Sequence, residues 1–264
     1  MKDKPVTALF CGDTHCGHEC GLTPKDWQAN IKSNNPHIRH VAEIQQVMWN
    51  FIEKDVLAKY GPFDVGVFNG DLIDGRGERS GGTEQLYTDR KVQADMASFF
   101  IKHIGAKKNY IIRGTPYHVS GDGEDWEDIV ATQTKADIKD HAFIDINGWI
   151  FDCKHFCGSS SVPHTRASAL ARDRLWAQLW EEREMVPKSD FLVRSHVHYS
   201  QYYETPDGAN MTLPCLQFDS KYGKRKCSGT IDIGVVVFRL YKDHAERIPI
   251  YLDMRFAKAQ VLKA

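Results

Sequence analysis

The 264-residue sequence has almost no net charge and no apolar run that approaches the length of a membrane span. Its 34 basic and 35 acidic residues leave a formal charge of −1, so no global field favours nucleic acid or a membrane surface as a partner. The N-terminus leads straight into a short apolar segment and lacks the form of an export signal. We therefore expect a cytoplasmic protein with no membrane partner.

The sequence also lacks a recognisable disulfide or zinc pattern. Its seven cysteines are an odd number and are scattered through a chain of moderate length, which favours reduced thiols in a cytoplasm. Cys16, His18 and Cys20 could form a zinc knuckle, but their spacing matches no tetrahedral zinc motif. Free thiols on a loop are the favoured interpretation.

Apolar residues, by contrast, are abundant enough for one substantial core. They make up 42% of the sequence, which predicts a single domain over residues 1–264. Loop insertions are predicted at 16–40 and 75–82, and a β-rich part after residue 200. In the second loop Arg76 or Arg79 could contact an anionic group, although a solvated loop is favoured.

Short apolar runs predict strands, and apolar residues at helical spacing predict helices. The predicted strands are Val6–Cys11, 64–69, 108–113, Phe191–Arg194, 200–204, 231–241 and 248–252, with a hairpin over 143–152 that turns at Asn147-Gly148. The predicted helices are 41–60, 83–103 with Thr83 as its cap, 126–137, and 166–185 with Leu170, Trp176, Leu179 and Trp180 buried. Early alternation followed by a late run of strands predicts an α/β protein with added antiparallel structure.

Carboxylates and imidazoles follow four separate predicted strands. They are Asp13 and His15, then Asp71, then His155, and finally His196 and His198. Because open α/β sheets place their ligands beyond strand ends, we expect these side chains to form a divalent-metal site. Such ligands suit Mn, Fe, Zn or Ni. Two dications held by only two carboxylates leave the site positive, which favours a phosphate ester, and Asp71 could bridge them with its two oxygens.

These residues, in this order, resemble the motif blocks of the calcineurin-like metallophosphoesterase superfamily. The family blocks run D-x-H, G-D, G-N-H/D, H and G-H-x-H, and the resemblance spans residues 6 to 200 approximately. It implies a four-layer α/β/β/α sandwich of two mixed sheets flanked by helices. It also implies that Asp13, His15 and His198 hold one metal, that Asp71 bridges, and that His155 and His196 hold the second.

The third block departs from the family pattern. The sequence reads Gly114-Thr115-Pro116-Tyr117-His118, with Thr115 where the family has an Asn ligand, which predicts a weak second metal site. His118 lies two residues late and is predicted to protonate the leaving group or to replace the missing ligand. Similar Gly-Thr-Pro-x-His blocks indicate a phage- or prophage-type subgroup, which would place the protein in a host cytoplasm. Ser195 in place of the usual Gly is a small change.

By this resemblance the chain would be a metal-dependent phosphoesterase in which a metal-bound hydroxide attacks phosphorus in line. Two divalent ions are implied, with Mn favoured, and a phosphodiester is favoured over a monoester. The alternatives are a nuclease acting on DNA or RNA, and a non-catalytic metal-bound binding module on the same fold. The partner would be a phosphate-ester substrate, which could be a nucleotide or nucleic acid. The sequence leaves the oligomeric state open.

A small basic cluster lies between two predicted strands late in the chain. Its members are Lys221, Lys224, Arg225 and Lys226. The cluster could contact the phosphates of a nucleotide or nucleic acid. An exposed turn is the favoured interpretation.

Overall fold

Strands and helices alternate in the first half of the chain, and strands dominate after residue 136. A computed structural model describes residues 4–78, 81–121, 123–220 and 231–253. In these residues the strands are β1 (Val6–Cys11), β2 (Val65–Phe68), β3 (Lys108–Ile112), β4 (Ser120–Gly121), β5 (Glu124–Asp125), β6 (Asp137–Lys139), β7 (His141–Ile146), β8 (Trp149–Lys154), β9 (Phe191–Arg194), β10 (Gln201–Thr205), β11 (Gly208–Thr212), β12 (Gly234–Leu240) and β13 (Ala245–Tyr251). The α-helices are α1 (Pro36–Asn50), α2 (Ala58–Tyr60), α3 (Arg90–Ile104), α4 (Pro116–Val119), α5 (Trp126–Thr134) and α6 (Ser168–Glu181), with a π-helical segment (Phe51–Leu57) joining α1 to α2. Arg79 and the basic cluster at 221–226 lie outside the described residues.

Eleven of these strands form two mixed sheets. The first has the order β13-β12-β1-β2-β3-β6, with β1, β2, β3 and β6 parallel and the other two antiparallel. The second has the order β10-β11-β9-β8-β7, with β11, β9 and β8 parallel and both outer strands antiparallel. Helices flank the sheets, so the predicted α/β fold of two mixed sheets between helices is confirmed.

The main apolar layers lie on the two faces of the first sheet. Because side chains alternate along a strand, Ala8 and Phe10 of β1 face the second sheet while Leu9 and Cys11 face the helices. Between the sheets the Phe10 ring packs 4.8 Å from Phe151. The helix-side layer receives α1, α3, α5 and the π-helical segment. These layers fix the strand ends that carry the site.

Two predicted helix starts are wrong, and local capping explains both. Helix α1 begins at Pro36, not at residue 41, because the Asn35 side chain accepts a hydrogen bond from His37 N at 2.9 Å and proline suits a first helical position. Helix α3 begins at Arg90, not at 83, because Asp89 rather than Thr83 is its cap. The loop predicted at 16–40 therefore ends five residues early.

Helix α6 turns a different face inward from the one predicted. Leu170 is buried as expected, but Trp176, Leu179 and Trp180 are 54%, 43% and 39% exposed. The inward stripe is Leu170, Arg174 and Ala177, with Arg174 Nε donating to Asn210 Oδ1 at 2.6 Å. The helix is thus held on the second sheet largely by polar contacts, which apolar periodicity does not report.

The six cysteines in the described part of the chain are buried and free, which confirms the prediction of free thiols for these six. Cys16 and Cys20 lie in the helix-side layer, Cys153 lies between the sheets, and Cys157 packs against α6. Burial raises the pKa of Cys16 to about 12. No described helix combines the length and apolar character that membrane crossing requires.

Candidate metal centre

The loops that follow β1 and β2 run side by side beyond the end of the first sheet. Asp13 N donates to Gly70 O at 2.8 Å, and His15 N donates to Asp71 O at 3.0 Å. These bonds extend the parallel pairing of β1 and β2 past the strands themselves. Backbone hydrogen bonds alone therefore bring Asp13, His15 and Asp71 to one place.

All six predicted metal ligands fall into two clusters at this place. One cluster contains Asp13, His15 and His198, and the other contains Asp71, His155 and His196. Within each cluster one ligand atom per residue lies within 4.8 Å of the others. The first cluster joins the two sheets, since His198 Nε2 lies 3.4 Å from Asp13 Oδ1. The second does so too, with His155 Nε2 3.0 Å from Asp71 Oδ2.

Asp71 also belongs to a third cluster, with His15 and His118. Its carboxylate is therefore within reach of ligand atoms on both sides of the site. This is the arrangement that a bridging ligand between two metal ions needs. His118 lies two residues after the position that the family pattern gives for a histidine, and the structure nevertheless brings it into the site.

Two buried ligand atoms, Asp13 Oδ1 and His155 Nε2, make no hydrogen bond of good geometry. Their close contacts are with other candidate ligands, since Asp13 Oδ1 lies 3.4 Å from His198 Nε2 and His155 Nε2 lies 3.0 Å from Asp71 Oδ2. A bound cation would give both atoms a ligand bond in place of these contacts. The donor set of two carboxylates and four imidazoles fits Mn, Fe, Zn or Ni.

Left-handed backbone conformations are concentrated at the ligands. Of the eight described non-glycine residues with positive φ, five are predicted ligands, with φ between 43° and 73°. They are Asp13, His15, Asp71, His196 and His198. Each such residue costs of order 1 kcal/mol or more, so the surrounding structure must enforce the conformation. Strain of this kind is typical of functional sites.

Fixed hydrogen bonds orient the ligands from outside. His155 Nδ1 lies 2.7 Å from the carbonyl oxygen of Asn69, which can only accept, so Nδ1 carries a proton and Nε2 faces the site. His196 N donates to Asp13 Oδ2 at 3.1 Å, leaving Asp13 Oδ1 for a cation. Asn69 Nδ2 donates to Ser195 Oγ at 2.7 Å and so ties the two sheets together behind the ligands.

The imidazoles differ in their affinity for protons. Burial and the neighbouring His118 lower the pKa of His15 to about 4, and burial and His155 lower the pKa of His196 to about 4. Burial also lowers the pKa of His155, but the carboxylates of Asp71 and Asp13 outweigh it and raise the pKa to about 10. Near neutral pH and without a metal, His155 is therefore protonated, whereas His15 and His196 are neutral.

Thr115 and His118 have different roles in the third block. Thr115 N and Oγ1 both donate to Asp71 Oδ1, at 2.6 and 3.0 Å, so Thr115 orients this carboxylate. His118 Nδ1 lies 2.8 Å from the carbonyl oxygen of Asp74 and must donate to it, which leaves Nε2 for the site. His118 rather than Thr115 is therefore the residue of this block that can supply a ring nitrogen to a cation.

Two glycines leave room for the ligands. A Cβ on Gly114 would lie 2.2 Å from Asp71 Oδ1, and a Cβ on Gly70 would lie 2.4 Å from His155 Nδ1. Gly70 also has a φ of +82°, which side chains rarely adopt. These positions are glycine because the carboxylate and the imidazole occupy the space of a side chain.

The sequence interpretation missed two buried carboxylates near the site. Asp74 Oδ1 lies 3.5 Å from His15 Nδ1. Burial raises the pKa of Asp74, but His15 and His18 outweigh it and lower the pKa to about 2. Glu127 is fully buried and accepts backbone hydrogen bonds from Leu72 N at 2.9 Å and Gly114 N at 2.8 Å. No sequence motif indicates a role for Glu127, because its partners are backbone groups of two loops that are distant in the sequence.

Together the fold and the site define a class of protein: an α/β chain of two mixed sheets that gathers aspartates and histidines at its strand ends into a candidate metal centre. No family model matches the chain, and no curated protein matches it. The proteins of known structure that it resembles include wild-type Vps29 complexed with Zn²⁺ from Entamoeba histolytica, with 12% identity, a TM-score of 0.47, and 92% of this chain and 99% of that one covered.

Two further similar structures are phosphoesterases by description. One is a novel archaeal phosphodiesterase, with 13% identity, a TM-score of 0.40, and 93% of this chain and 100% of that one covered. The other is a predicted phosphoesterase from Streptococcus pneumoniae, with 8% identity, a TM-score of 0.39, and 95% and 100% covered. At this level of similarity the function has to be argued from the residues of this chain.

Proposed function

We propose that this protein is a metal-dependent phosphoesterase that hydrolyses phosphodiesters. One observation carries the proposal: Asp71 lies within ligand distance of two histidines on either side, His155 and His196 in one cluster and His15 and His118 in another. A single carboxylate shared in this way is the arrangement that holds two cations side by side. The predicted ligand sets, Asp13, His15 and His198 for one ion and Asp71, His155 and His196 for the other, are proposed unchanged.

The site would attract a phosphate ester because of its charge. When bound, two divalent ions would supply a nucleophile by lowering the pKa of water and would neutralise charge on the phosphoryl oxygens. Two dications exceed the charge of the carboxylates Asp13 and Asp71. We propose Mn²⁺ as the resident ion, since hard carboxylates and borderline imidazoles occur together.

A third buried carboxylate favours diesters over monoesters. Asp74 is ionised, because its pKa is lowered to about 2, and it lies at 3.5 Å from His15 Nδ1. It reduces the positive charge that the dications create. This weakens the electrostatic attraction of the site for a singly charged phosphodiester less than for a doubly charged monoester. The Asp74 carboxylate lies 3.5 Å from His15 Nδ1 and 3.9 Å from His118 Nδ1. Because the pKa of His15 is lowered to about 4, that ring is neutral near pH 7 and does not offset the charge of Asp74.

His118 would protonate the leaving group. Its Nδ1 is held by the Asp74 carbonyl at 2.8 Å, so its orientation is fixed and the proton that it can give to a substrate is on Nε2. Its ring centroid lies 4.5 Å from that of His15, which places it beside the first ligand cluster. The phage- or prophage-type subgroup and the cytoplasmic location stay predictions from the sequence.

The test is hydrolysis of bis-p-nitrophenyl phosphate and of p-nitrophenyl phosphate by Mn²⁺-loaded protein. We expect the diester to be the better substrate, and Asp71→Asn to lower kcat/KM for it by at least about 100-fold, because the shared ligand is lost. Asp243→Asn, which changes an exposed aspartate paired with His244, is the matched control and should leave the rate unchanged. Turnover that is equal in wild type and Asp71→Asn would contradict the proposal.

A further inference from the structure

An aromatic ring stands exposed at the rim of the second ligand cluster. Phe156 follows the ligand His155 directly, and its side chain is 53% exposed while His155 and Cys157 on either side are buried. The chain is fixed at this point, since Ser195 N donates to His155 O at 2.8 Å. A large apolar ring therefore stands in water directly after a residue whose backbone is hydrogen-bonded to Ser195, at the edge of the site.

Single exposed apolar residues are common on protein surfaces, so exposure alone says little. Position is what distinguishes Phe156. Its ring centroid lies 4.9 Å from the ring of His196, a ligand of the second cluster, with the ring planes inclined at 35°. Any group that projects from a phosphate bound at this cluster on that side would pass over the face or the edge of Phe156.

A second aromatic ring lies beside the first ligand cluster. Tyr117 is half-buried, and its ring centroid is 4.2 Å from that of His118. His118 in turn packs against His15, whereas Phe156 packs against His196. The two aromatic rings thus flank different ligand clusters. A phosphodiester has two ester arms, and an aromatic ring lies beside each of the two ligand clusters.

From these positions we infer that Phe156 is a stacking platform for a nucleobase carried on the non-leaving arm of the phosphodiester. The inference rests on the proposed function. If His118 protonates the leaving group, the leaving arm lies on the side of His118, and the non-leaving arm lies on the side of Phe156. Flat rings with delocalised electrons stack on an aromatic face, and nucleobases are the flat rings that phosphodiesters commonly carry. A rigid ring pays little conformational entropy on binding.

The test compares two diesters with the same leaving group. These are thymidine 5′-(p-nitrophenyl) phosphate and methyl p-nitrophenyl phosphate, which differ only in the non-leaving arm. We expect Phe156→Ala to raise KM for the thymidine ester by about 5- to 100-fold, with kcat little changed, because base stacking is lost. The same variant should leave both constants for the methyl ester within about twofold, since that ester has no base to stack.

Three further variants show whether stacking is responsible. Phe156→Trp keeps an aromatic face and should retain the wild-type KM for the thymidine ester, whereas Phe156→Leu keeps apolar bulk only and should behave like Phe156→Ala. Trp176→Ala removes an aromatic ring of equal exposure on α6 and should change nothing. An equal rise in KM for both esters, or a wild-type KM in Phe156→Leu, would overturn the inference.

A binding measurement separates this inference from the proposed function. Calorimetry of Mn²⁺-loaded protein with thymidine 5′-monophosphate and with inorganic phosphate needs no turnover. Weaker binding of the nucleotide alone in Phe156→Ala supports the platform even if neither ester is hydrolysed, in which case only the proposed activity fails. Nucleotide binding equal in wild type and variant overturns the platform whatever the activity.

Discussion

Five candidate ligands hold their side chains in the site by a left-handed backbone, and this sets how they should be replaced. Alanine at Asp71 or His196 would remove the ligand but keep the strain, whereas asparagine tolerates positive φ. A loss of stability in an alanine variant therefore does not report metal binding. For this reason the variant proposed at Asp71 carries an amide side chain.

His118 offers a test at the scale of one residue. If it protonates the leaving group, His118→Gln should lower kcat by about 100-fold or more for an alkyl leaving group and far less for p-nitrophenolate, which departs without a proton. Metal content should stay at the wild-type value. The measurements are kcat for two diesters with different leaving groups and the metal-to-protein ratio.

The opposite result has a distinct signature. If His118 is instead a metal ligand, His118→Gln lowers metal content, and both substrates lose rate to the same degree. Thr115→Val is a comparison with another residue of the same site, because Thr115 orients Asp71. It removes the hydroxyl that bonds Asp71 but keeps the backbone donor at 2.6 Å.

The convergence of the candidate ligands could be predicted because short motifs place them at strand ends. Asp13, His15 and Asp71 follow strands whose apolar runs are plain in the sequence, and strand ends of parallel sheets converge. Glu127 could not be predicted, since it acts through hydrogen bonds to the backbone of Leu72 and Gly114. Phe156 could not either, because its exposure depends on which face of the chain His155 turns inward.

At the scale of elements, one glutamate fastens α5 to two loops of the site. Glu127 lies in the first turn of α5 and bonds the residue after Asp71 and the residue before Thr115. Burial outweighs these two bonds and raises its pKa to about 8. Because the folded-state pKa exceeds the usual value of 4.5, the protonated form is stabilised by folding, and this contribution is lost as the pH rises towards 8.

Glu127→Gln therefore has a pH-dependent effect on stability. At pH 5 the variant should be less stable by about 1–3 kcal/mol, because its amide NH₂ faces a backbone donor. Between pH 5 and 8 the wild type should lose up to about 1.4 kcal/mol per pH unit that the variant does not lose. Chemical denaturation of metal-free protein at several pH values measures both, with the exposed Glu124→Gln as control. Parallel pH profiles would contradict the assignment.

Elements were predicted well where local chemistry determines them. The hairpin turning at Asn147-Gly148 is present, with positive φ at both residues. The position of helix α6 was predicted correctly, but the face that it turns inward was not. The side chains that hold this helix on the second sheet are polar. Arg194 Nε bonds Asp173 at 2.9 Å, and Arg174 bonds Asn210, so a hydrophobic pattern could not locate them.

For the whole molecule, the candidate metal centre is the junction of the two sheets. Asp13, His15 and Asp71 come from loops of the first sheet, and the other three ligands from loops of the second. The two-sheet architecture could be predicted from resemblance, but the strand order could not. Pairing of β1 with β12, at the far end of the chain, leaves no local mark in either sequence.

Metal binding should therefore stabilise the entire fold and depend on pH. Mn²⁺ at 100 times its Kd should add about 2.7 kcal/mol to the free energy of unfolding. His155, whose pKa is raised to about 10, must lose its proton to bind a cation, so affinity should rise by up to about tenfold per pH unit for each proton released. Thermal unfolding of chelator-treated protein with and without Mn²⁺ at pH 6 and 8 measures this. A shift in Tm that is the same at both pH values, or undiminished in Asp71→Asn, would count against a metal centre here.

Each of the three apolar layers of the molecule contains a buried thiol whose chemical reactivity can report on the unfolding of that layer. Cys16 lies beneath the helices of the first sheet, Cys153 between the sheets, and Cys157 under α6. A thiol must ionise to a thiolate before it can attack an alkylating reagent. Burial raises the pKa of Cys157 to about 11, so the folded chain resists alkylation there. Mass-spectrometric mapping of alkylation over time would then follow, without any engineered label, the order in which the three layers come apart.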